Sequence, residues 1–388
     1  MALGLAGGCT RAPSPEHHRR VQDAKQGLSE DPLIRAREAG VEAAMRHEKG
    51  EIAVDEVELR VGDEYDSEHM FRMRVRVPVK RPGDITASRD ALRADTEIAV
   101  TRLEQASLQR RAEICFPSVD ILVHQTHGSI YDAYARRQKA LLEWSQEWRE
   151  SGMIDELSAA RFEIESRVKL ATRQPPRPPA AEVVVPVLPE IEARPSHLVR
   201  EPSLLRETVR HHHPSVALRL ATAERYQALS KRARSRARPW LKFVDVSYEH
   251  AASGRDGLGG KLSFEIPLGM RERANAGRYQ SLVRQEENEG EYLLEEQVRR
   301  SLEALDELAD FESRTEQWEE LEQLAGSAEE TADRWWRERL ARPSQVAALL
   351  DEAFSARITV LDARERAAVA GCTLFAMTGL PPEDWPRE

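Results

Sequence analysis

Residues with chemistry to offer are few and scattered in this chain. Gly257-Leu258-Gly259-Gly260-Lys261 has the composition of a phosphate-cradling loop. A phosphate loop of that kind would also need glycine at 255 and serine or threonine at 262, where Arg255 and Leu262 stand, so the run reads as a hairpin loop. His211-His212-His213, with His17-His18, has the donor atoms for a transition metal. Adjacent histidines directly before the helix-starting Pro214 read better as solvated residues. Cys9, Cys115 and Cys372 have neither metal nor redox spacing. There is no HExxH and no GxSxG. The chain therefore reads as a non-enzyme, with no catalytic residue, no metal and no cofactor.

Two cysteines, Cys115 and Cys372, fall in helical sequence and read as buried apolar residues. Cys9 differs, because MALGLAGGCT places small and apolar residues directly before it and a polar stretch after it. That pattern resembles the end of a bacterial lipoprotein signal, with Cys9 as the lipid-bearing residue. It departs from the usual pattern at Ala6, where leucine is commonest, and most of the charged and apolar leader is missing.

Bulk composition narrows the frame around these residues. Among 388 residues, 32% are charged and 6% aromatic, which suits long solvated helices better than a thick core. A net charge of -10 argues against a general nucleic-acid binder. No apolar run is long enough for a transmembrane helix, which leaves barrel strands open, since these need only about 9–11 alternating residues.

The elements come in two ordered copies, about 185 residues apart. Pro32 and Pro214 each open a helix; Arg37 matches Arg219, Ala39 matches Ala221, and Glu42 matches Glu224. In the first copy Val57, Leu59 and Val61 alternate with charge, and after a polar loop Phe71, Met73, Val75, Val77 and Val79 do the same. In the second, Val244, Val246 and Tyr248 are followed by Leu262, Phe264, Ile266 and Leu268. Each hairpin leads into a charged helix of about 65 residues, on the order of 100 Å long. The first carries a flaw at Cys115-Phe116-Pro117, where a kink is expected. Breaks at Gly152 and at Arg342-Pro343 precede two further helices, and the proline-rich stretch between the copies forbids a helix there.

The domain reading is thus 1–30, a truncated lipoprotein signal and a poorly ordered polar arm; 31–173, the first repeat; 174–196, a Pro-rich connector; 197–380, the second repeat; and 381–388, a tail. The fold class is mainly α with a small β part. Each repeat reads helix, strand, strand, long helix, helix.

Four strands with one apolar face cannot close in lipid alone, but three chains would supply twelve. The apolar face would then meet lipid. The lumen would be lined by Glu58, Arg60, Arg72, Arg74, Arg76, Asp245, Ser247, Glu249, Ser263 and Glu265. Glu58 and Arg60 could sit across from Arg72, Arg74 or Arg76 and offset their charge.

The element order, given twice, resembles the TolC-like outer membrane efflux proteins. The resemblance covers roughly residues 30–380 and rests on the Pro-x-[Ile/Val]-x-x-Arg helix starts, on RMRVRVPVKRPGD and KLSFEIPLGMRER, and on GMIDELSAARFEIE after Gly152. It implies a homotrimer with a shared twelve-strand transmembrane barrel and a periplasmic α-helical tunnel. It also implies docking of the helical tips on a periplasmic adaptor (membrane fusion) protein, and through it on an inner-membrane efflux pump. The tip residues would be Ser151, Gly152, Met153, Arg342, Pro343 and Ser344, although the second tip lacks the expected glycine and the His211 to His213 run is not a family feature. Trp144, Trp148, Trp335 and Trp336, just before the breaks, read as packing between helices and alternatively as adaptor interface. Asp155, Asp351 and Asp362 read as solvated helix positions, with a gating role as the sharper alternative. Localisation would be the outer membrane of a Gram-negative bacterium, with a large periplasmic part. The competing class is a periplasmic coiled-coil scaffold lipoprotein without a pore.

Overall fold

A computed structural model of the chain describes residues 15–25, 27–50, 58–62, 69–79, 81–175, 201–251, 256–266 and 270–380. Cys9 and the signal stretch, most of the connector and the 381–388 tail lie outside them. The elements in order are α1 (Pro15–Lys25), α2 (Pro32–Gly50), β1 (Glu58–Gly62), β2 (His69–Pro78), α3 (Pro82–Glu150), α4 (Glu156–Thr172), α5 (Pro202–His212), α6 (Pro214–Arg236), β3 (Trp240–Ala251), β4 (Asp256–Glu265), α7 (Arg271–Ser313), α8 (Thr315–Glu338) and α9 (Pro343–Thr378). They form two compact units, residues 1–108 with 210–295, and 109–209 with 296–388.

In the first unit, α1 replaces the disordered arm expected for residues 10–30. Its composition is polar, yet Ala24 is buried and Val21 packs beside it against Ile34, Val41, Met45, Val100 and Leu103. Polar pairs dock the rest of α1 on α3: Arg20 donates to both oxygens of Glu104 at 2.7 Å and to Glu97 at 2.5 Å, and His17 Nε2 lies 2.9 Å from Glu97 Oε2. Both α1 and α5 have eleven residues and open on proline, so a short helix precedes the opening helix of each repeat. Asp31 caps α2, accepting from the Leu33 N–H at 2.8 Å.

The same unit shows how an aromatic-poor chain packs. Ala221, Ala228 and Ala233 on α6 and Ala276 on α7 are buried, and alanine seams let helix axes approach closely. A Cβ on Gly290 would lie 3.3 Å from Arg219 Cβ, so only a minimal residue fits beneath that arginine. Arg219 in turn reaches Glu286 at 2.9 Å and Glu289 at 2.8 Å.

In the second unit, Tyr134, Leu141, Trp144, Phe162, Val346, Leu350 and Phe354 make the main apolar cluster. Three features of the helices stand beside the sequence reading. First, α3 is one continuous helix over 82–150, with Cys115-Phe116-Pro117, the site of the expected kink, inside it. Proline deletes one backbone hydrogen bond, while Ser118 Oγ donates to the Ile114 carbonyl at 2.7 Å within the same turn. Second, the other long helix is divided at Arg314 into α7 and α8. Ser313 and Thr315 hydroxyls donate to the Asp310 and Phe311 carbonyls, at 2.8 and 3.4 Å, and compete there with the helical ladder.

Third, Cys115 and Cys372 are not isolated apolar residues. They form a disulfide, with Cα atoms 5.9 Å apart, that ties α3 to α9 across 257 residues of sequence.

Candidate functional site

The strands pair antiparallel in the order β1-β2-β3-β4. Register sorts them into rows of one kind. Val61, Met73, Tyr248 and Leu258 are partners across the sheet, as are Leu59, Val75, Val246 and Gly260, and then Val77, Val244 and Leu262. The intervening rows are polar: Glu58, Arg76, Asp245 and Lys261; then Arg60, Arg74, Ser247 and Gly259; then Gly62, Arg72, Glu249 and Gly257. Alternation of period two therefore places the apolar and charged sets on opposite faces.

The apolar face is uncovered. Val77 is 42% exposed, Val246 44%, Leu262 60% and Phe264 65%, a contiguous patch of the kind that marks a lipid or protein surface. On the other face, Asp245 is buried between Arg74 and Arg76, each 3.5 Å away. Phe243, two residues before Asp245 and in the same register, shares this side, and the Arg76 guanidinium lies 4.3 Å from its ring centroid.

The expected offsetting of charge holds in part. Glu58 is the backbone partner of Arg76, but Arg60 stands opposite Arg74, which finds its acid in Asp245 on β3 instead. Ser263 sits opposite Phe243. The side chains of Glu58, Arg60, Arg72, Glu249 and Glu265 lie outside the described residues. The glycine-rich 257–261 run is strand, not loop: it pairs with 245–249, and Gly259 leaves room for Ser247 Oγ, which a Cβ would approach to 2.7 Å.

At the sheet's root, Trp240 Nε1 donates to the Val79 carbonyl at 3.0 Å. Asp84 accepts from Arg232 at 2.8 Å and from Arg236 at 3.1 Å. Burial alone would raise the Asp84 carboxyl; the hydrogen bonds from Arg236 and Arg232 outweigh it and hold it below its ordinary value.

The second unit carries the two turns read as tips. Gly152 has φ +71°, and Met153 N–H returns to the Trp148 carbonyl at 2.9 Å, a left-handed helix end. Asp155 then caps α4, accepting from the Ser158 N–H at 2.8 Å. In the second turn Arg339 adopts φ 54° where a glycine was expected, and Leu340 N–H returns to Trp335 at 3.0 Å. Pro343 occupies the first turn of α9; the Arg342 N–H donates to Gln345 Oε1 at 3.0 Å, and the Gln345 N–H donates to the Arg342 carbonyl at 2.9 Å. Arg339 reaches Glu147 on α3 at 3.1 Å, so the two turns lie side by side. Ser151, Gly152, Met153 and Arg342 or their neighbours are thus gathered in one place, with Met153 64% and Leu340 62% exposed.

The tryptophans behind the turns pack between helices. Trp144 is 4% exposed and meets Trp148 edge-on at 5.0 Å, and Trp335 joins the same cluster, while Trp336 is 37% exposed.

Asp351 is not a solvated position. It is buried and accepts from Tyr134 at 2.5 Å, from Arg173 at 2.7 Å and from Lys169. The Arg173 guanidinium also covers the Tyr134 and Phe354 rings, at 5.1 and 5.0 Å. Burial and the bond to Asp351 push the Tyr134 hydroxyl well above its usual range. Tyr134, Lys169 and Arg173 thus hold this carboxylate in a buried network between helices. Asp362, by contrast, is exposed on α9, and Asp155 serves as a helix cap. Among the histidines, His17 is engaged by Glu97, His211 and His212 end α5, and His213 is buried ahead of α6. No group of metal-binding side chains occurs among the described residues.

Neither the partners of Asp351 nor the left-handed conformation of Arg339 follows from the sequence pattern. The disulfide had one available signal: two cysteines in a chain whose leader-like start points to an oxidising compartment.

A four-stranded antiparallel sheet whose two hairpins each run into long helices is the fold of TolC-like outer membrane channels. The outer membrane protein VceC of Vibrio cholerae superposes with a TM-score of 0.64 at 13% identity, over 94% of this chain and 96% of that one. The outer-membrane channel OprN superposes at 0.61 and 14% identity, over 94% and 90%. The open-state MtrE outer membrane channel of Neisseria gonorrhoeae gives 0.60 and 13%, over 94% and 89%. No protein-family model matches the sequence. No curated protein sequence matches it either. No helix among the described residues is long and apolar enough to cross a membrane.

Proposed function

We propose that this chain is the outer membrane channel component of a tripartite efflux system. Three copies join their sheets into a shared twelve-strand barrel, and their helices form a periplasmic tunnel. That tunnel passively conducts substrates exported by an inner-membrane pump. The tips around Ser151-Gly152-Met153 and Arg342-Pro343-Ser344 meet a periplasmic adaptor, and Cys9 carries the lipid.

The sheet supports this reading most directly. It exposes an apolar face, keeps a charged face with Asp245 between Arg74 and Arg76, and leaves β1 and β4 each paired on one side only. Open edges are tolerated in lipid only when further strands close them. Disulfide-bonded Cys115 and Cys372 suit an oxidising compartment such as the periplasm.

Phe264 and Ser263 are sequence neighbours on opposite faces, which makes the test sharp. Phe264→Arg should cost roughly 2–4 kcal/mol near the bilayer midplane and lower the yield of heat-modifiable trimer in outer membranes. Ser263→Arg should be tolerated. Equal yields would remove the sheet from the membrane.

A further inference from the structure

We propose that the charged face of the sheet makes the barrel select anionic solutes, with the row containing Arg74 as its selective element. The inference rests on the channel reading above and adds the class of solute.

Register allows charge to be followed row by row. The row of Glu58, Arg76, Asp245 and Lys261 contains two acids and two cations. The row of Gly62, Arg72, Glu249 and Gly257 contains one of each. The row between them contains Arg60, Arg74, Ser247 and Gly259, two cations and no acid. Arg74 reaches Asp245 diagonally at 3.5 Å, and Arg76 lies 3.5 Å from the same carboxylate. The surplus is thus confined to one level of the sheet, in a chain whose net charge is -10.

The surroundings keep Arg74 available to a solute. It remains 39% exposed, whereas Asp245 is 5% exposed. Gly259 and Ser247 in the same row add no bulk. Arg76 is held over Phe243, which fixes the far side of the carboxylate. Repeated by three copies around a closed barrel, such a row becomes a ring of guanidinium groups, and rings of arginine or lysine favour anions in pores. Guanidinium forks match carboxylate and phosphate oxygens, so organic carboxylates and phosphates are the class that fits.

Purified trimer in planar lipid bilayers under a potassium chloride gradient provides the test. The parent should give a reversal potential displaced toward the chloride equilibrium. Arg74→Gln should lower the chloride-to-potassium permeability ratio by about twofold or more. Ser247→Asp, which adds an acid to the same row and leaves both ion pairs of Asp245 in place, should act in the same direction. Arg167→Gln, an equal charge change on α4, should not. Channels that conduct but keep the parental ratio in Arg74→Gln and Ser247→Asp, or that shift as much in Arg167→Gln, overturn the selectivity inference alone. Trimers that carry no current overturn the channel reading and the inference with it.

Discussion

Breaking the Cys115–Cys372 bond should loosen the second unit more than any other single change. The cross-link spans 257 residues of sequence. For a loop that long the chain-entropy relation gives about 5.5 kcal/mol at room temperature, and measured losses for native disulfides usually reach about 2–5 kcal/mol. Alanine is the cleaner replacement at Cys372, which is 1% exposed, because serine would bury a hydroxyl as well. Cys115→Ala, Cys372→Ala and the double variant should all lose the same stability, since each removes one bond and the effects cannot add. Thermal loss of helical circular dichroism in detergent reads the change, and dithiothreitol should bring the parent down to the variants. Maleimide labelling of the denatured parent in a Cys9→Ser background should find no thiol before reduction and two after it. Two thiols without reductant, or variants that melt with the parent, would refute the reasoning.

Three further outcomes follow from the same geometry. Asp351→Asn leaves Lys169 and Arg173 facing a neutral amide; with side chains 37% and 23% exposed, the loss should be about 2–3 kcal/mol in denaturant titrations, against less than about 0.5 for exposed Asp362→Asn. Arg339→Gly should stabilise the second turn by about 1 kcal/mol, because φ 54° costs an arginine and not a glycine, and the exposed pair with Glu147 offsets little; a lower melting point would contradict this. The hydrogen bond that His17 Nε2 donates to Glu97 raises the imidazole above its usual 6.5, so its contribution to docking α1 is complete below that pH and is lost as pH rises through the raised value. Glu97 itself is lowered to about 2 by His17 and Arg20, so its contribution persists above pH 4.5 and fades only as pH falls toward 2. Hydrogen-exchange protection in α1 should therefore fall as pH rises through the raised His17 value, and His17→Gln should abolish that step.

Much of this fold was legible because its patterns are long or repeated. Strand alternation around Val75 and Val246 gave the two faces correctly, and the paired prolines at 32 and 214 marked helix starts. What escaped notice depends on partners distant in sequence. Nothing near residue 20 signals that Arg20 will meet Glu104 on α3. Asp351 resembles any other acid on a helix until Lys169 and Arg173 are folded against it. Arg339 occupies a glycine's conformation without a glycine's signature, and the Arg314 interruption hangs on the hydroxyls of Ser313 and Thr315. The two turns at 151–153 and 339–342 were visible because Gly152 and Pro343 punctuate long helical runs.

The two halves have settled the same electrostatic demand by different routes. Glu97 lies nineteen residues after Pro78, and Glu286 nineteen after Pro267, so they hold equivalent places. Glu286 is neutralised by Arg219 of α6, whereas Glu97 takes its cation from Arg20 of α1 and leaves Arg37, the counterpart of Arg219, exposed. The residue beneath each arginine has diverged in step, glycine at 290 and buried Thr101 under Arg20. The two halves are therefore not interchangeable. A gene encoding the second half twice would carry its own counter-ion in each copy. One encoding residues 31–173 twice would strand an acid in both, because the helix that answers it was left behind.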